Sequence, residues 1–347
     1  MYNIPQLQKK PGTALVLSGG ATKAFYFHLG VLRTLRQEKI SSIVGASAGS
    51  IVGAFIASGA SVDTITSALH QDRVYLPKFD IWLDTVRSSK LFRPKLRQLT
   101  RQSLYTGYAS LRFLASLPML RNQDLLAEIL DRLILSQSKA TGFFDSVALE
   151  DLFRNFLPSG GFRDTEIDLY VTATALDTNR RAVFNRDYDF LTDEDQFISD
   201  VPIHKAVRAS SAVPGMFDPV MIKGEYYIDG EIKRTLSADI GVGLADRVII
   251  SHTYQPYYGN NGRSVRDMGW LHILRQSLIT VFHERINRWR EYAEAEGITA
   301  DIIWIQPDPD DIEFFQAPEF SFRREVQKKL IKSGELAAKK AFDRIYT

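Results

Sequence analysis

Ser47 lies among small residues in the segment VGASAGS at 44–50, between two apolar runs. Gly45, Ser47 and Gly49 match the Gly-x-Ser-x-Gly pattern, in which a nucleophilic serine occupies a strained turn from a strand into a helix. Side chains at the two glycine positions would collide with the neighbouring strand and helix, and the helix dipole favours negative charge at the serine. The same small residues are also typical of a helix that packs closely on a sheet, so the pattern alone leaves both interpretations open.

A glycine-rich segment, SGGATKAF at 18–25, follows a predicted strand and opens a predicted helix. It lacks the Gly-Lys-Ser/Thr of a P-loop and the Gly-x-Gly-x-x-Gly of a dinucleotide site. Successive glycines allow backbone N–H groups to point into one concavity, which favours an oxyanion hole with N–H donors from Gly20 and Ala21. Lys23 either adds a positive charge nearby or is a solvated lysine in the first helical turn.

A serine nucleophile needs a base, and the chain offers Asp229 and several histidines. Asp229 and Gly230 lie at the end of a predicted strand, where Asp-Gly by itself most often marks a hairpin turn. Among the histidines only His252, which also ends a predicted strand, suits the late histidine of a Ser…Asp…His triad. No two histidines are spaced i, i+4, as a helical metal site would need. The histidines are His28, His70, His204, His252, His272 and His283.

The composition is that of a folded globular protein of 347 residues with a net charge of +2, long enough for one large or two ordinary domains. This charge gives no global reason to expect a nucleic-acid partner. Because the chain has no cysteine, disulfides, thiol catalysis and cysteine-based zinc sites are excluded. The first residues carry no signal-peptide pattern, and no apolar run reaches ~18 residues. We therefore expect a cytoplasmic protein, with peripheral membrane contact as an alternative.

Strands and helices alternate in the first third of the chain. Residues 13–18 and 41–46 read as buried strands, each followed by a helix, and the second helix is predicted to end near Gly59. This order predicts a parallel sheet with right-handed crossovers. Further strands are predicted at 167–176, 181–185, 225–229, 247–251 and 302–307, and long helices at roughly 264–296 and 318–343.

The stretch from Thr85 to Gln123 contains no Asp or Glu, but it has eight Lys or Arg residues interleaved with Leu, Phe and Tyr. It predicts a helical, basic insertion at about 76–140. Such a segment suits contact with anionic lipid through about 85–121, because each basic residue near that surface adds about 1 kcal/mol. A solvated basic face that covers an apolar core formed by the insertion itself explains the pattern equally well.

Five blocks of the sequence, taken in order, resemble the patatin-like phospholipases. They cover about residues 13 to 230, and their joint order is far more specific than any single motif. The blocks are LVLSGGATKAFYFHLGVL, IVGASAGSIVGAF, VTATALDTNRRAVF, AVRASSAVPGMFDPV and YYIDG.

The resemblance implies a three-layer α/β/α fold with a mainly parallel sheet, and a Ser–Asp dyad that cleaves acyl esters of lipids without a histidine or a cofactor. It makes Ser47 the nucleophile and Asp229 its base, in a buried setting that raises the proton affinity of the carboxylate. Gly19, Gly20 and Ala21 then line the oxyanion hole. The supporting positions are Lys23, Gly45, Gly49 and Gly230.

The fourth block, at 206–220, predicts a helix end and a turn that lead the chain back towards the aspartate strand. Its expected role is structural support, with Pro214 and Met216 as candidates to line an acyl pocket. The expected organisation is an N-terminal segment at 1–12, a catalytic domain at 13–254 and a C-terminal extension at 255–347 packed on the same domain.

Two departures from the family pattern bear on the rate of the implied reaction. The third and last glycines of the usual loop are Ala21 and Ala24 here, and an alanine that needs positive φ costs about 1 kcal/mol. The family's Asp-Gly-Gly/Ala is Asp-Gly-Glu, which places Glu231 beside the base. This second carboxylate either raises the pKa of Asp229 or points away to solvent.

The sequence favours a lipid acyl hydrolase of the phospholipase A or lysophospholipase type, working through an acyl-enzyme. The alanines of the loop and the basic insertion keep open a weakly active or inactive lipid-binding module. An acyltransferase would use the same dyad with an alcohol in place of water. The expected partner is a lipid or lipid-like ester, with no nucleic acid.

Overall fold

The computed structural model describes residues 4–70, 73–76, 81–84, 93–94, 141–145, 147–156, 161–258 and 264–346. Apart from short strands, the predicted helical, basic insertion at about 76–140 lies outside these residues. The predicted lipid contact through 85–121 therefore stays a prediction.

The strands formed by the described residues vary from two to eight residues in length. They are β1 Thr13–Leu17, β2 Ile40–Ala46, β3 Arg73–Leu76, β4 Ile81–Asp84, β5 Arg93–Pro94, β6 Gly142–Asp145, β7 Asp168–Ala175, β8 Arg181–Phe184, β9 Phe190–Leu191, β10 Asp195–Ile198, β11 Gly215–Phe217, β12 Val220–Ile222, β13 Glu225–Ile228, β14 Arg247–Ser251 and β15 Asp301–Ile305.

The α-helices of the described residues include two that are more than twenty residues long. They are α1 Ala21–Thr34, α2 Ala48–Ala57, α3 Val62–His70, α4 Val147–Phe156, α5 Ile203–Ser210, α6 Ala238–Leu244, α7 Trp270–Ala295, α8 Ile312–Gln316 and α9 Arg324–Tyr346.

Within the described part of the chain, the main sheet has the order β15–β14–β1–β2–β7–β8–β10–β9. The run from β15 to β7 is parallel throughout. Beyond it β8 pairs antiparallel with β7, and β13, itself paired with β12, also joins β7 antiparallel. The predicted parallel arrangement is confirmed for the half of the sheet that holds the glycine loop and Ser47.

Alternate residues of β1 face opposite sides of the sheet, and each side has its own apolar cluster. Leu15 and Leu17 pack on one side with residues of α1, α2 and α9, whereas Ala14 and Val16 pack on the other with residues of α6 and α7. A strand buried on both faces reads as a continuous apolar run. The three-layer α/β/α fold is therefore confirmed.

The C-terminal region adds to the same sheet and the same helical layer. Strand β15 extends the sheet beside β14, and α9 packs on α1. Their backbones meet at Gly30 and Gly334, where a Cβ would collide with Ile331 O and Phe27 O respectively.

Glycines with positive φ set two helix boundaries. Gly59, with φ 89°, follows the last residues of α2, as predicted from its type. The helix predicted from 264 instead begins at Trp270, because Gly269 has φ 93° and residues 265–268 form a separate 3₁₀ turn.

Within the described ranges no single helix combines the length and apolarity needed to span a bilayer. Helix α2 and the segment Val62–Ala68, which are bent by 119° relative to each other, together have the length and apolar composition of such a span.

Candidate active site

The topology brings three segments to one edge of the sheet. Strands β14, β1 and β2 are neighbours and parallel, so their carboxyl ends lie side by side. Leu17 is in register with both Gly45 and Ser251. The glycine loop, Ser47 and the segment after β14 therefore meet at the edge where open α/β sheets usually bind ligands.

Ser47 occupies a sharp turn between β2 and α2. Its φ is 50° and its ψ is −122°, a region that costs a non-glycine residue of order 1–3 kcal/mol and persists only when its surroundings enforce it. The residue is buried, with 5% of its surface exposed. This is the strained backbone that the Gly-x-Ser-x-Gly pattern predicts for a nucleophile.

Both glycines of the pattern are required by close backbone contacts. A Cβ on Gly45 would lie 2.7 Å from Gly49 O, and a Cβ on Gly49 would collide with Leu17 O of the neighbouring strand. The small residues therefore serve the turn and the packing at once, and the two interpretations of the pattern are not exclusive.

The backbone of Ser47 is held by neighbouring serines. Its N–H donates to Ser210 Oγ at 2.8 Å, and its carbonyl accepts from Ser50 Oγ at 2.7 Å. Ser210 belongs to the block at 206–220 that was predicted to give structural support. The sequence carried no signal that this particular serine would bind the turn.

Asp229 follows β13, and its carboxylate interacts with the Ser47 hydroxyl. Its carboxylate also accepts from the Glu231 N–H at 3.0 Å. Burial raises the pKa of Asp229 to about 6, although the Glu231 N–H and the Ser47 hydroxyl act in the opposite direction. The group is thus a carboxylate at neutral pH whose proton affinity is far above that of an ordinary aspartate.

The Asp-Gly sequence does not form the hairpin turn that it most often marks. The turn between β12 and β13 lies at Lys223 and Gly224. Gly230 is instead needed because a Cβ there would collide with Thr172 O of β7.

The glycine loop lies against Ser47. A Cβ added to Gly19 would lie 2.9 Å from the Ser47 Cβ and 2.8 Å from the Tyr254 hydroxyl. Gly19 is one of the three residues predicted to line the oxyanion hole, and its N–H donates to Glu231 Oε1 at 2.6 Å. Within the described part of the chain, no hydrogen bond is formed by the N–H of Gly20 or of Ala21.

Only one of the two loop alanines is in a strained position. Ala21 has φ 55°, where an L-residue costs about 1 kcal/mol or more. Ala24 lies inside α1, is fully buried and does not have positive φ.

We expect Ala21→Gly to raise the free energy of unfolding by about 0.5–1 kcal/mol, because glycine adopts positive φ without steric cost. Ala24→Gly is the matched control and should lower it by about 1 kcal/mol, since glycine weakens a helix interior. Urea unfolding of both variants measures whether each substitution raises or lowers the free energy of unfolding. An Ala21→Gly protein less stable than the parent would contradict the strain at this position.

Glu231 is buried rather than directed to solvent, so the solvent-facing alternative is wrong. Only 2% of its surface is exposed. Besides the Gly19 N–H it accepts from Leu236 N at 2.9 Å, and the Tyr254 hydroxyl acts to lower the pKa of its carboxyl group. Burial, assisted by the charge of Asp229, raises the pKa of Glu231 to about 8.

Lys23 is also buried, with 1% of its surface exposed, so the interpretation as a solvated lysine is wrong. Its Nζ lies 3.2 Å from Glu319 Oε1 and 4.7 Å from the centre of the Phe314 ring. Burial lowers its pKa to about 8. Glu319 also pairs with Arg275 of α7, so this lysine ties the start of α1 to two C-terminal segments.

His252 has no place in the candidate site. It is fully buried and packs edge-on against Trp304, with 6.0 Å between ring centres. Burial, with nearby Arg290, holds its pKa well below the usual value for histidine. No hydrogen bond among the described residues joins it to Ser47 or Asp229, and in the same residues no three His, Asp or Glu side chains converge as metal ligands.

A cavity of about 720 Å³ contains one of the two residues proposed for an acyl pocket. Met216 lines it and Pro214 does not; the lining also includes Phe144, Pro318, Phe320 and Phe322. Ser321, which also lines this cavity, connects it to the glycine loop, because the Ser321 N–H donates to Thr22 Oγ1 at 3.0 Å. Thr22 directly follows Ala21.

Comparison with known families identifies the family of this chain. Residues 15–240, well over half of the chain, match the family model described as patatin-like phospholipase. The chain is also 21% identical over 306 residues to a protein of Invertebrate iridescent virus 6 called probable lipid hydrolase 463L. That alignment covers 88% of this chain and 81% of the viral protein.

Two solved structures are similar at low identity. VipD from Legionella pneumophila is 16% identical with a TM-score of 0.40, over 99% of this chain and 70% of VipD. The type III effector ExoU, from Pseudomonas aeruginosa, is 18% identical with a TM-score of 0.37, over 97% of this chain and 53% of ExoU. The chain thus spans about half the length of ExoU.

Proposed function

We propose that this chain, which belongs to the patatin-like phospholipase family, is a lipid acyl hydrolase that uses Ser47 as nucleophile and Asp229 as base. The observation that carries the proposal is the interaction of the Ser47 hydroxyl with the buried Asp229 carboxylate, which lowers the pKa of that carboxylate. It joins a nucleophile on a strained turn to a base with raised proton affinity, and this pairing needs no histidine.

The reaction starts when Asp229 accepts the hydroxyl proton while Ser47 Oγ bonds to the ester carbonyl carbon. The carbonyl oxygen becomes an oxyanion, stabilised by the N–H groups of Gly20 and Ala21. The tetrahedral intermediate expels the alcohol, which takes the proton from Asp229, and leaves an acyl-serine. Water then attacks that ester, Asp229 again moves the proton, and the fatty acid leaves with Ser47 restored.

The cavity beside the loop is the proposed site of the acyl chain. Its apolar lining from Phe144, Met216 and Phe320 suits a hydrocarbon, for which each buried CH₂ contributes about 0.8 kcal/mol. This supports a fatty acyl ester as substrate, of the phospholipase A or lysophospholipase type. Contact with an anionic membrane through 85–121 is proposed on the basic composition alone.

A lipid-binding module with little activity is the second proposal. Two observations favour it: the strained φ of Ala21 and the engagement of the Gly19 N–H by Glu231. Both bear on the oxyanion loop, where the loss of one donor typically costs ~2.7–4 kcal/mol of barrier.

Labelling with a fluorophosphonate separates the two proposals. An activated serine attacks phosphorus and expels fluoride, so we expect one adduct, mapped by mass spectrometry to Ser47, together with fatty-acid release from phospholipid vesicles. Vesicle binding without either reaction would favour the binding module. Products made with added glycerol would reveal acyl transfer, which the same dyad permits.

A further inference from the structure

We propose that Glu231 is a positioning residue of the reaction, whose carboxyl group fixes the glycine loop against Ser47 through the Gly19 N–H. This role rests on the proposed function, since it concerns the same oxyanion loop. It assigns a task to a residue that occupies a glycine or alanine position in the family pattern.

The contacts of Glu231 join the two halves of the site. Its backbone N–H donates to Asp229 Oδ1 at 3.0 Å, and its Oε1 accepts from Gly19 N at 2.6 Å. A Cβ on Gly19 would lie 3.0 Å from the Glu231 Cγ and 2.9 Å from the Ser47 Cβ. One residue therefore holds both the base and the loop beside the nucleophile.

The loop needs such an anchor because its conformation is strained. Ala21 has φ 55°, and strained backbone persists only where its surroundings enforce it. The carbonyl of Gly19 is held by Thr253 Oγ1 at 3.1 Å and by Ser18 Oγ at 2.8 Å. Glu231 in turn accepts from the Gly19 N–H. The N–H groups of Gly20 and Ala21 are therefore left available for the substrate.

The environment of Glu231 is costly for a carboxylate. The titratable groups that face it are Asp229 of its own turn and Tyr254 from the segment after β14. None of the ion pairs among the described residues involves Glu231. Because burial and the charge of Asp229 raise its pKa to about 8, the group is largely neutral at pH 7 and the site then carries one negative charge.

This protonation state suits the reaction. A neutral carboxyl group still accepts the Gly19 N–H but does not repel an oxyanion beside the loop. Ionisation of Glu231 above about pH 8 adds a second negative charge there, which disfavours the tetrahedral intermediate. Wild-type kcat/KM should therefore decline on the alkaline side with an apparent pKa near 8.

The test compares Glu231→Gln and Glu231→Ala with wild type and with the exposed control Glu296→Gln. The kcat and KM for a p-nitrophenyl fatty ester, which does not ionise, are measured from pH 5 to 9.5 alongside thermal unfolding. We expect kcat to fall about 10-fold in Glu231→Gln and about 100-fold in Glu231→Ala, because a small misplacement of reacting groups costs about that much. KM should change little, the alkaline decline should vanish in Glu231→Gln, and the control should match wild type.

Two results would overturn this role alone. One is an active wild type with no alkaline decline near pH 8, a measurement that requires no variant to fold. The other is a folded Glu231→Gln that keeps both the wild-type kcat and the wild-type pH profile. A wild-type protein that neither hydrolyses esters nor reacts with a fluorophosphonate would instead overturn the proposed function, and the role of Glu231 with it.

Discussion

Ser47→Ala should lower kcat/KM for a fatty acyl ester by about 10⁴-fold or more, the scale of loss expected when a nucleophile is removed. The hydroxyl that this substitution deletes is the one that interacts with the Asp229 carboxylate, and the proposed acyl-enzyme forms on it. Alanine keeps the Cβ, so the turn at φ 50° is no more strained than before. The measurements are p-nitrophenyl ester hydrolysis, fatty-acid release from vesicles and fluorophosphonate labelling.

Ser277→Ala provides the matched control. Ser277 is an exposed serine of α7, and its hydroxyl donates to Ile273 O at 2.9 Å within the same helix. This variant should keep wild-type rates and wild-type labelling. If Ser47→Ala instead retained a substantial share of the activity, the nucleophile would have to be another residue.

Asp229→Asn should lower kcat/KM by about 10³–10⁴-fold, the upper part of the range for a general base. The amide keeps the shape of the side chain but does not accept the proton of Ser47. In wild type the carboxylate is present above about pH 6, so kcat/KM should fall about tenfold per pH unit below that value. The residual rate of Asp229→Asn should lack this acid limb.

The same substitution should stabilise the fold. Burial raises the pKa of Asp229 from 3.8 to about 6, which means that the folded state prefers the neutral form. At pH 7 the ionised group therefore opposes folding, and neutral asparagine removes that penalty, by up to about 3 kcal/mol. An enzyme that is less active and more stable would distinguish loss of the base from loss of structure.

Asp246→Asn is the control for this pair of effects. The Asp246 side chain is 84% exposed, and it pairs with Lys9 on the surface, where an ion pair contributes little. Both its rate and its unfolding temperature should stay near wild type. An Asp229→Asn protein with undiminished kcat/KM would exclude Asp229 as the base.

The sequence predicted the fold well because its signals are local. Continuous apolar runs indicated strands buried on both faces, and β1 and β2 lie where the runs at 13–18 and 41–46 placed them. The turn at Ser47 was equally readable from its Gly-x-Ser-x-Gly pattern, in which Gly45 is dictated by contacts of the turn itself and Gly49 by the neighbouring strand. Helix starts were less accurate: α7 begins six residues later than predicted, because a glycine with positive φ interrupts the apolar pattern.

The surroundings of the site were less predictable. The sequence left Lys23 as either solvated or charged near the loop, and only the packing of Phe314 and Glu319 against α1 buries it. Ser210 gave no signal of its contact with Ser47, 163 positions away. His252 suited a triad by its position at a strand end, but the side chain enters the core beside Trp304.

By itself the sequence determined the order of the motifs and the layered fold, and it predicted Ser47 as the nucleophile and Asp229 as its base. Only the tertiary structure decided that Ala21 takes positive φ and that Glu231 turns inward to the Gly19 N–H. The reason is physical: a motif constrains its own backbone, whereas the direction of a side chain depends on what the rest of the fold packs around it. Gly19 and Glu231 are 212 positions apart, and no local pattern records a contact over that separation.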